Sequence, residues 1–208
     1  MGKALNVNFA VIGTIGLGIL IWIVILWLRE IPAPYSFDAL KEIPTAAGWA
    51  SPILYWFTKR GWRSRLFRRW LVLLPDLNGT WEGELQTNWK DPKTGQSPGP
   101  IPGFIVIRQS LFRITCALMT KESKSWSRAA TIQLAPDGLL KILEFTYSNS
   151  PRVSVQNRST AHEGACSLEI IGGNPKRLRG KYWTERNTKG EMDFKFSSAK
   201  LREAFDIP

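Results

Sequence analysis

The side chains that could do chemistry in this 208-residue sequence are few and mostly uncharged. There is one histidine, His162, and there are two cysteines, Cys116 and Cys166. That set is too small for a structural zinc site or a disulfide framework, and it leaves a Ser-His-Asp arrangement only if His162 serves in it. Glu82 and Glu84 are spaced to share one face of a strand, where paired carboxylates can do acid–base work or simply solvate the surface. No glycine loop for phosphate hydrolysis, metal-ligand spacing or nucleophile elbow accompanies them. The expectation is a chain that is not an enzyme and needs no cofactor.

Short stretches that mix aromatic, amide and hydroxyl groups are more informative. They are Gln109, residues 122–125 (Glu-Ser-Lys-Ser), residues 147–149 (Tyr-Ser-Asn) and residues 182–186 (Tyr-Trp-Thr-Glu-Arg). Aromatic rings offer stacking faces for bases, Ser, Asn and Gln read base edges, and Arg meets phosphate. The same composition also suits a barrel whose Tyr and Trp fill the core while the polar residues face water.

These stretches fall near the ends of alternating segments that read as strands. The segments are 77–89, 104–109, 111–121, 125–134, 139–149, 160–171, 176–185 and 191–199. Hairpin chemistry separates several of them, at Asp137-Gly138, Gly172-Gly173-Asn174 and Asn187-Thr188-Lys189-Gly190. Residues 91–103 are rich in Pro and Gly and read as a loop. Eight sequential strands predict a small antiparallel up-and-down β-barrel, with a β-sandwich as the alternative. Gly79-Thr80-Trp81 is similar to the opening of lipocalin-like barrels. Cys116 and Cys166 fall within strands and read as reduced packing residues.

The barrel would occupy 75–208, and a membrane region would precede it at 1–74. Residues 9–28 are uncharged and long enough, at ~1.5 Å per residue, to cross a ~30 Å hydrocarbon core. Ala10, Thr14 and Gly18 recur every fourth residue and would let such helices approach closely. Residues 43–58 form a second apolar stretch that contains Pro52. Lys59, Arg60, Arg63, Arg65, Arg68 and Arg69 follow it and mark a cytoplasmic side. Two spans with the barrel in the cytoplasm fit this charge pattern. Residues 59–74 mix arginine with Trp62, Leu66, Phe67 and Trp70, as an amphipathic helix on an anionic leaflet would. The net charge of +11 is thus shared between a basic flank and a mildly basic C-terminal domain.

Four further sets of residues carry a resemblance. They are Ile107-Arg108-Gln109-Ser110; residues 120–125 with Ser127; residues 145–151 with His162-Glu163-Gly164; and residues 178–190. In this order, behind a hydrophobic prefix, they resemble the SMODS-associated, two-transmembrane, β-strand-rich effectors of CBASS antiphage defence. The resemblance implies that the barrel senses a cyclic dinucleotide made by a partner nucleotidyltransferase (CD-NTase). Binding would drive homo-oligomerisation, and the membrane segments would disrupt the inner membrane, ending infection with the death of the cell. Under it, Arg186 with Thr188 would meet phosphate and Tyr147 and Tyr182 would stack on bases. Gln109, Ser123, Ser125 and Asn149 would read base edges, and His162 would support the pocket. Three rival readings stand beside it: a membrane-anchored carrier of an apolar molecule, a tethered hydrolase using Glu82, Glu84 or His162, and a scaffold without a ligand.

Overall fold

In the computed structural model, residues 7–67, 71–91, 94–135, 139–174 and 176–205 are described. The chain divides between Leu74 and Pro75 into two compact units. In the C-terminal unit, eight strands follow one another as β1 (Gly79–Thr87), β2 (Ile101–Gln109), β3 (Ile114–Thr120), β4 (Ser123–Leu134), β5 (Lys141–Pro151), β6 (His162–Ile171), β7 (Arg177–Thr184) and β8 (Lys189–Ser198). Each pairs antiparallel with its sequence neighbours, and β1 pairs with β8, so the sheet closes as a barrel in sequence order. The barrel expectation holds, and the sandwich is set aside. Strand limits shift by up to three residues from the alternation pattern. β2 begins at Ile101, inside the stretch read as a loop: Ile101 and Pro102 stand in register with Leu85 and Glu84 of β1, although Pro102 has no N–H to give. The Asp137-Gly138 turn lies outside the described residues.

Strand alternation sends every second side chain inward. At one end those side chains are apolar and tightly packed. Leu77, Trp81, Ile105, Ile107, Leu143, Leu168, Leu178 and Phe194 are all wholly buried. Trp81 donates its indole N–H to Leu77 O at 2.9 Å and meets Phe196 edge-on at 5.4 Å. Cys116 and Cys166 are free thiols within this core. Burial pushes the Cys116 thiol up to about 12 and raises that of Cys166 as well, so both stay protonated. Towards the other end the inner row changes character: on β5 it runs Leu143, Phe145, Tyr147, Asn149. The outer face of β2 and β3 carries a second apolar cluster of Phe104, Val106 and Met119. The C-terminal segment covers it, with Phe205 stacked on Phe104 at 4.8 Å and Arg202 paired to Glu82 at 2.7 Å.

In the N-terminal unit, α1 (Val7–Leu28) packs on α3 (Ile43–Lys59), with the short α2 (Phe37–Lys41) between them. Ser36 caps α2 by accepting from Ala39 N at 3.2 Å. Trp22 donates its indole N–H to Ala39 O at 2.8 Å, and Arg29 pairs with the buried Glu42. Ala46 and Ala50 of α3 are buried and keep the α1–α3 contact close. Among the described residues one helix, Ala10–Leu28, is long and apolar enough to cross a membrane. At 17 residues, with Pro52 inside, α3 falls short of that length. The structure therefore supplies one membrane-capable helix where the sequence led us to expect two.

The amphipathic helix expected at 59–74 is absent from the part of it that is described. A single 3-10 turn spans Gly61–Arg63, and Trp62 is wholly buried instead of lying on a surface. The physical cause is Gly61. A β-carbon there would come within 2.8 Å of the Trp56 ring and push it aside, so glycine lets the chain turn tightly against the end of α3 with that ring in place. Phe57 and Phe67 then meet edge-to-face at 5.0 Å. Arg68, Arg69 and Trp70 lie outside the described residues.

Candidate functional site

The polar end of the barrel holds a cavity of about 420 Å³. Antiparallel order explains what lines it. Odd-numbered strands finish there and even-numbered strands begin there. Ser123 and Ser125 open β4, Tyr147 and Asn149 approach the end of β5, His162 opens β6, and Tyr182 approaches the end of β7. Arg186 and Thr188 belong to the β7–β8 connection. These eight expected residues all line the one cavity.

The ninth, Gln109, does not. It finishes β2, an even-numbered strand, and so lies at the opposite end. There its Oε1 accepts from Leu77 N at 2.9 Å and its Nε2 donates to Pro75 O at 3.1 Å. Its backbone N–H also donates to Asn78 Oδ1 at 2.8 Å. Gln109 fastens the entry of the chain into β1, a structural task.

Within the cavity, β4, β5 and β6 place Ser125, Asn149 and His162 side by side in register. Asn149 Nδ2 donates to Ser125 Oγ at 2.8 Å and to Ser123 Oγ at 3.1 Å. His162 Nδ1 lies 2.9 Å from Thr160 O. Burial lowers the His162 pKa, and the nearby Arg186 lowers it further, against the opposing effects of Thr160 O and Glu185. The ring is thus neutral at pH 7. Tyr147 is raised chiefly by burial, and Tyr182 likewise, with a hydrogen bond to Thr87 opposing in the second case. Both phenols are therefore un-ionised aromatic surfaces.

Gly164 makes room for Tyr147. A β-carbon at that position would come within 2.5 Å of both the Tyr147 hydroxyl and Trp183 O. The absence of a side chain on β6 lets the phenol lie across the strand.

The β7–β8 connection is a tight hairpin. Thr184 N donates to Thr188 O at 2.9 Å and Asn187 N to Thr184 O at 3.1 Å. Asn187 takes φ +60°, the left-handed conformation that asparagine tolerates better than most residues. Thr184 and Thr188 also join their hydroxyls at 2.7 Å. This turn holds Arg186 at the mouth, where it donates to Ser159 Oγ at 3.4 Å. No carboxylate pairs with Arg186 among the described residues, whereas Arg158, on the same rim, is paired to Glu122. Arg186 is accordingly an uncompensated positive charge beside two aromatic rings.

Further lining residues had gone unassigned in the sequence: Thr87, Trp89, Thr120, Lys121, Arg158, Ser159 and Thr184. Strand order would have found the first four, because they sit where the odd-numbered strands β1 and β3 finish. Arg158 and Ser159 come from the β5–β6 connection, where alternation gives no signal.

Glu82 and Glu84 are not in this cavity. Among the described residues no group of three His, Cys, Asp or Glu side chains could hold a metal ion. The arrangement offers hydroxyl and amide groups inside, flat aromatic surfaces beside them and a cation at the rim. Such a site suits an anionic molecule with planar, hydrogen-bonding rings.

Residues 72–195, which include every residue lining the cavity, match the family model described as Cap15, cyclic dinucleotide receptor domain. CD-NTase-associated protein 15 of Staphylococcus schleiferi is 27% identical over 134 residues, covering 64% of this chain and 67% of that protein.

Proposed function

Because the chain belongs to the Cap15 cyclic dinucleotide receptor family, we propose that the polar end of its barrel binds a cyclic dinucleotide as the sensing step of a CBASS antiphage effector. The observation that carries this is the convergence of eight residues expected from the sequence, from four strands and a turn, on one cavity. Its volume falls in the ~300–1,000 Å³ range of small-molecule sites.

In this reading Arg186, with Thr188 beside it, meets phosphate at the mouth, with Lys121 adding positive charge. Tyr147 and Tyr182 stack on the bases. Ser123, Ser125 and Asn149 read base edges, and neutral His162 braces the wall. The barrel acts as a receptor, and no bond is made or broken in it. The ligand would come from a CD-NTase, in keeping with the name of the relative in Staphylococcus schleiferi. An apolar-carrier function is disfavoured because the apolar half of the interior is filled by its own side chains, and the open volume lies among polar ones.

Signalling to the membrane follows from linkage: a ligand with higher affinity for an assembled state shifts the population towards it. Binding drives homo-oligomerisation, α1 spans the inner membrane with α3, shorter than a full span but packed on α1, inserting beside it as the second segment, and assembly of these segments breaches the bilayer. The barrel faces the cytoplasm, where the nucleotide is made. The test is dye entry into cells expressing the full chain, with and without a co-expressed CD-NTase. Entry only with the synthase supports the reading. Sealed cells in the presence of a nucleotide that binds the purified chain would remove the membrane step.

A further inference from the structure

One atom in the cavity is unmatched. Asn149 is nine-tenths buried, and both hydrogens of its Nδ2 are committed, to Ser125 and Ser123. Its Oδ1 is buried and has no hydrogen-bond partner. A buried acceptor left unmade is costly, so a native structure keeps one only where something else completes it. Ser125 Oγ, already accepting from Asn149, has its own hydrogen left to give. The two groups therefore present an acceptor next to a donor.

We infer that Asn149 and Ser125 form a recognition point for the Watson–Crick edge of a nucleobase, whose N–H donates to Asn149 Oδ1. This rests on the receptor reading and adds the pose of the ligand. A base edge offers a donor beside an acceptor. A phosphate offers acceptors alone and would face Oδ1 with like partial charge. Phosphate is thereby excluded from the inner wall and directed to the rim, where Arg186 stands without a carboxylate partner. One base points inward between β4 and β6, and the phosphates point outward.

The test uses the full chain and 3′,3′-linked cyclic dinucleotides in which one base at a time has every Watson–Crick N–H replaced by N-methyl, amino groups being dimethylated. A 2′-deoxy analogue serves as a control for ribose contacts. Binding is measured to wild type, Asn149→Leu and Asn149→Asp, with melting temperature recorded for each. For one base, methylation should weaken wild-type binding at least about tenfold, the value of one well-made hydrogen bond to a buried group. The same change should cost less than about threefold in Asn149→Leu. The tenfold penalty should return in Asn149→Asp, which keeps the acceptor, although the added negative charge lowers its affinity for every ligand. Equal penalties in wild type and Asn149→Leu would overturn the assignment. So would a penalty that follows loss of the ligand's acceptor or its 2′-hydroxyl instead of its N–H. Failure of every unmodified dinucleotide to bind wild type would instead overturn the receptor reading, and this assignment with it.

Discussion

Arg186 offers the sharpest separation of binding from folding. It sits in the β7–β8 turn, is exposed, and donates a hydrogen bond to Ser159 Oγ at 3.4 Å. Removing it deletes no buried contact, so Arg186→Ala should change stability by less than ~0.5 kcal/mol, as for surface positions generally. Its effect on a phosphate ligand should be much larger. A hydrogen bond to a charged group contributes roughly 1.5–3 kcal/mol, and each ~1.4 kcal/mol is tenfold in affinity. Solvent access at the mouth favours the lower end, so about a tenfold loss is expected. Arg186→Lys keeps the charge but not the planar fork and should fall between the two. Calorimetry of the full chain at two salt concentrations adds a second readout. Screening shortens to a Debye length of ~10 Å at 0.1 M, so wild-type affinity should fall more steeply with salt than that of Arg186→Ala. Unchanged affinity and unchanged salt slope in Arg186→Ala would refute the placement of phosphate at the rim.

Three further expectations follow from the same geometry. His162 is held below its ordinary pKa of 6.5 chiefly by burial, so the folded barrel binds its proton less readily than the unfolded chain does. Stability should decline as pH falls from about 6.5 through the lowered folded value, and His162→Gln should flatten that part of the melting-temperature profile. An anionic ligand reverses the preference, so binding below pH 6.5 should take up a proton, measurable by calorimetry in buffers of different ionisation enthalpy. Gly164→Ala forces a β-carbon against Trp183 O and the Tyr147 hydroxyl. It should cost ~1–3 kcal/mol in denaturant unfolding and weaken ligand binding as the phenol is displaced. Phe205→Ala removes the ring stacked on Phe104 and should cost about 1 kcal/mol, with faster hydrogen exchange at the outer face of β2, while leaving ligand affinity unchanged.

The barrel was legible because its inner and outer faces differ in polarity, so alternation marked the strands even where their limits were blurred. Strand order then carried more than alternation did. Asn149 and Gln109 are both carboxamides close to strand ends, and residue type alone cannot separate them. Their strands run in opposite directions, and this puts one in the cavity and the other at the far end beside Leu77. Arg158 escaped the sequence reading because a long connection, not a strand, brings it to the rim. The stretch from Lys59 failed as a helix for a different reason. Its charge and aromatic content fit a surface helix, but Gly61 allows a tight turn in which Trp62 is buried. In α1 the uncharged window at 9–28 was plain from sequence and contains the membrane-capable Ala10–Leu28, whereas α3 was marginal in length and remains so in the structure.

The decisive property is uptake of a cyclic dinucleotide by the polar cavity. Titration of the purified full chain in detergent with a panel of cyclic dinucleotides, alongside Arg186→Ala and Tyr147→Ala, measures this directly. Saturable, one-to-one binding of at least one member, weakened about tenfold or more in both variants, is the predicted result. No binding by any member, or binding that both variants leave untouched, would contradict it.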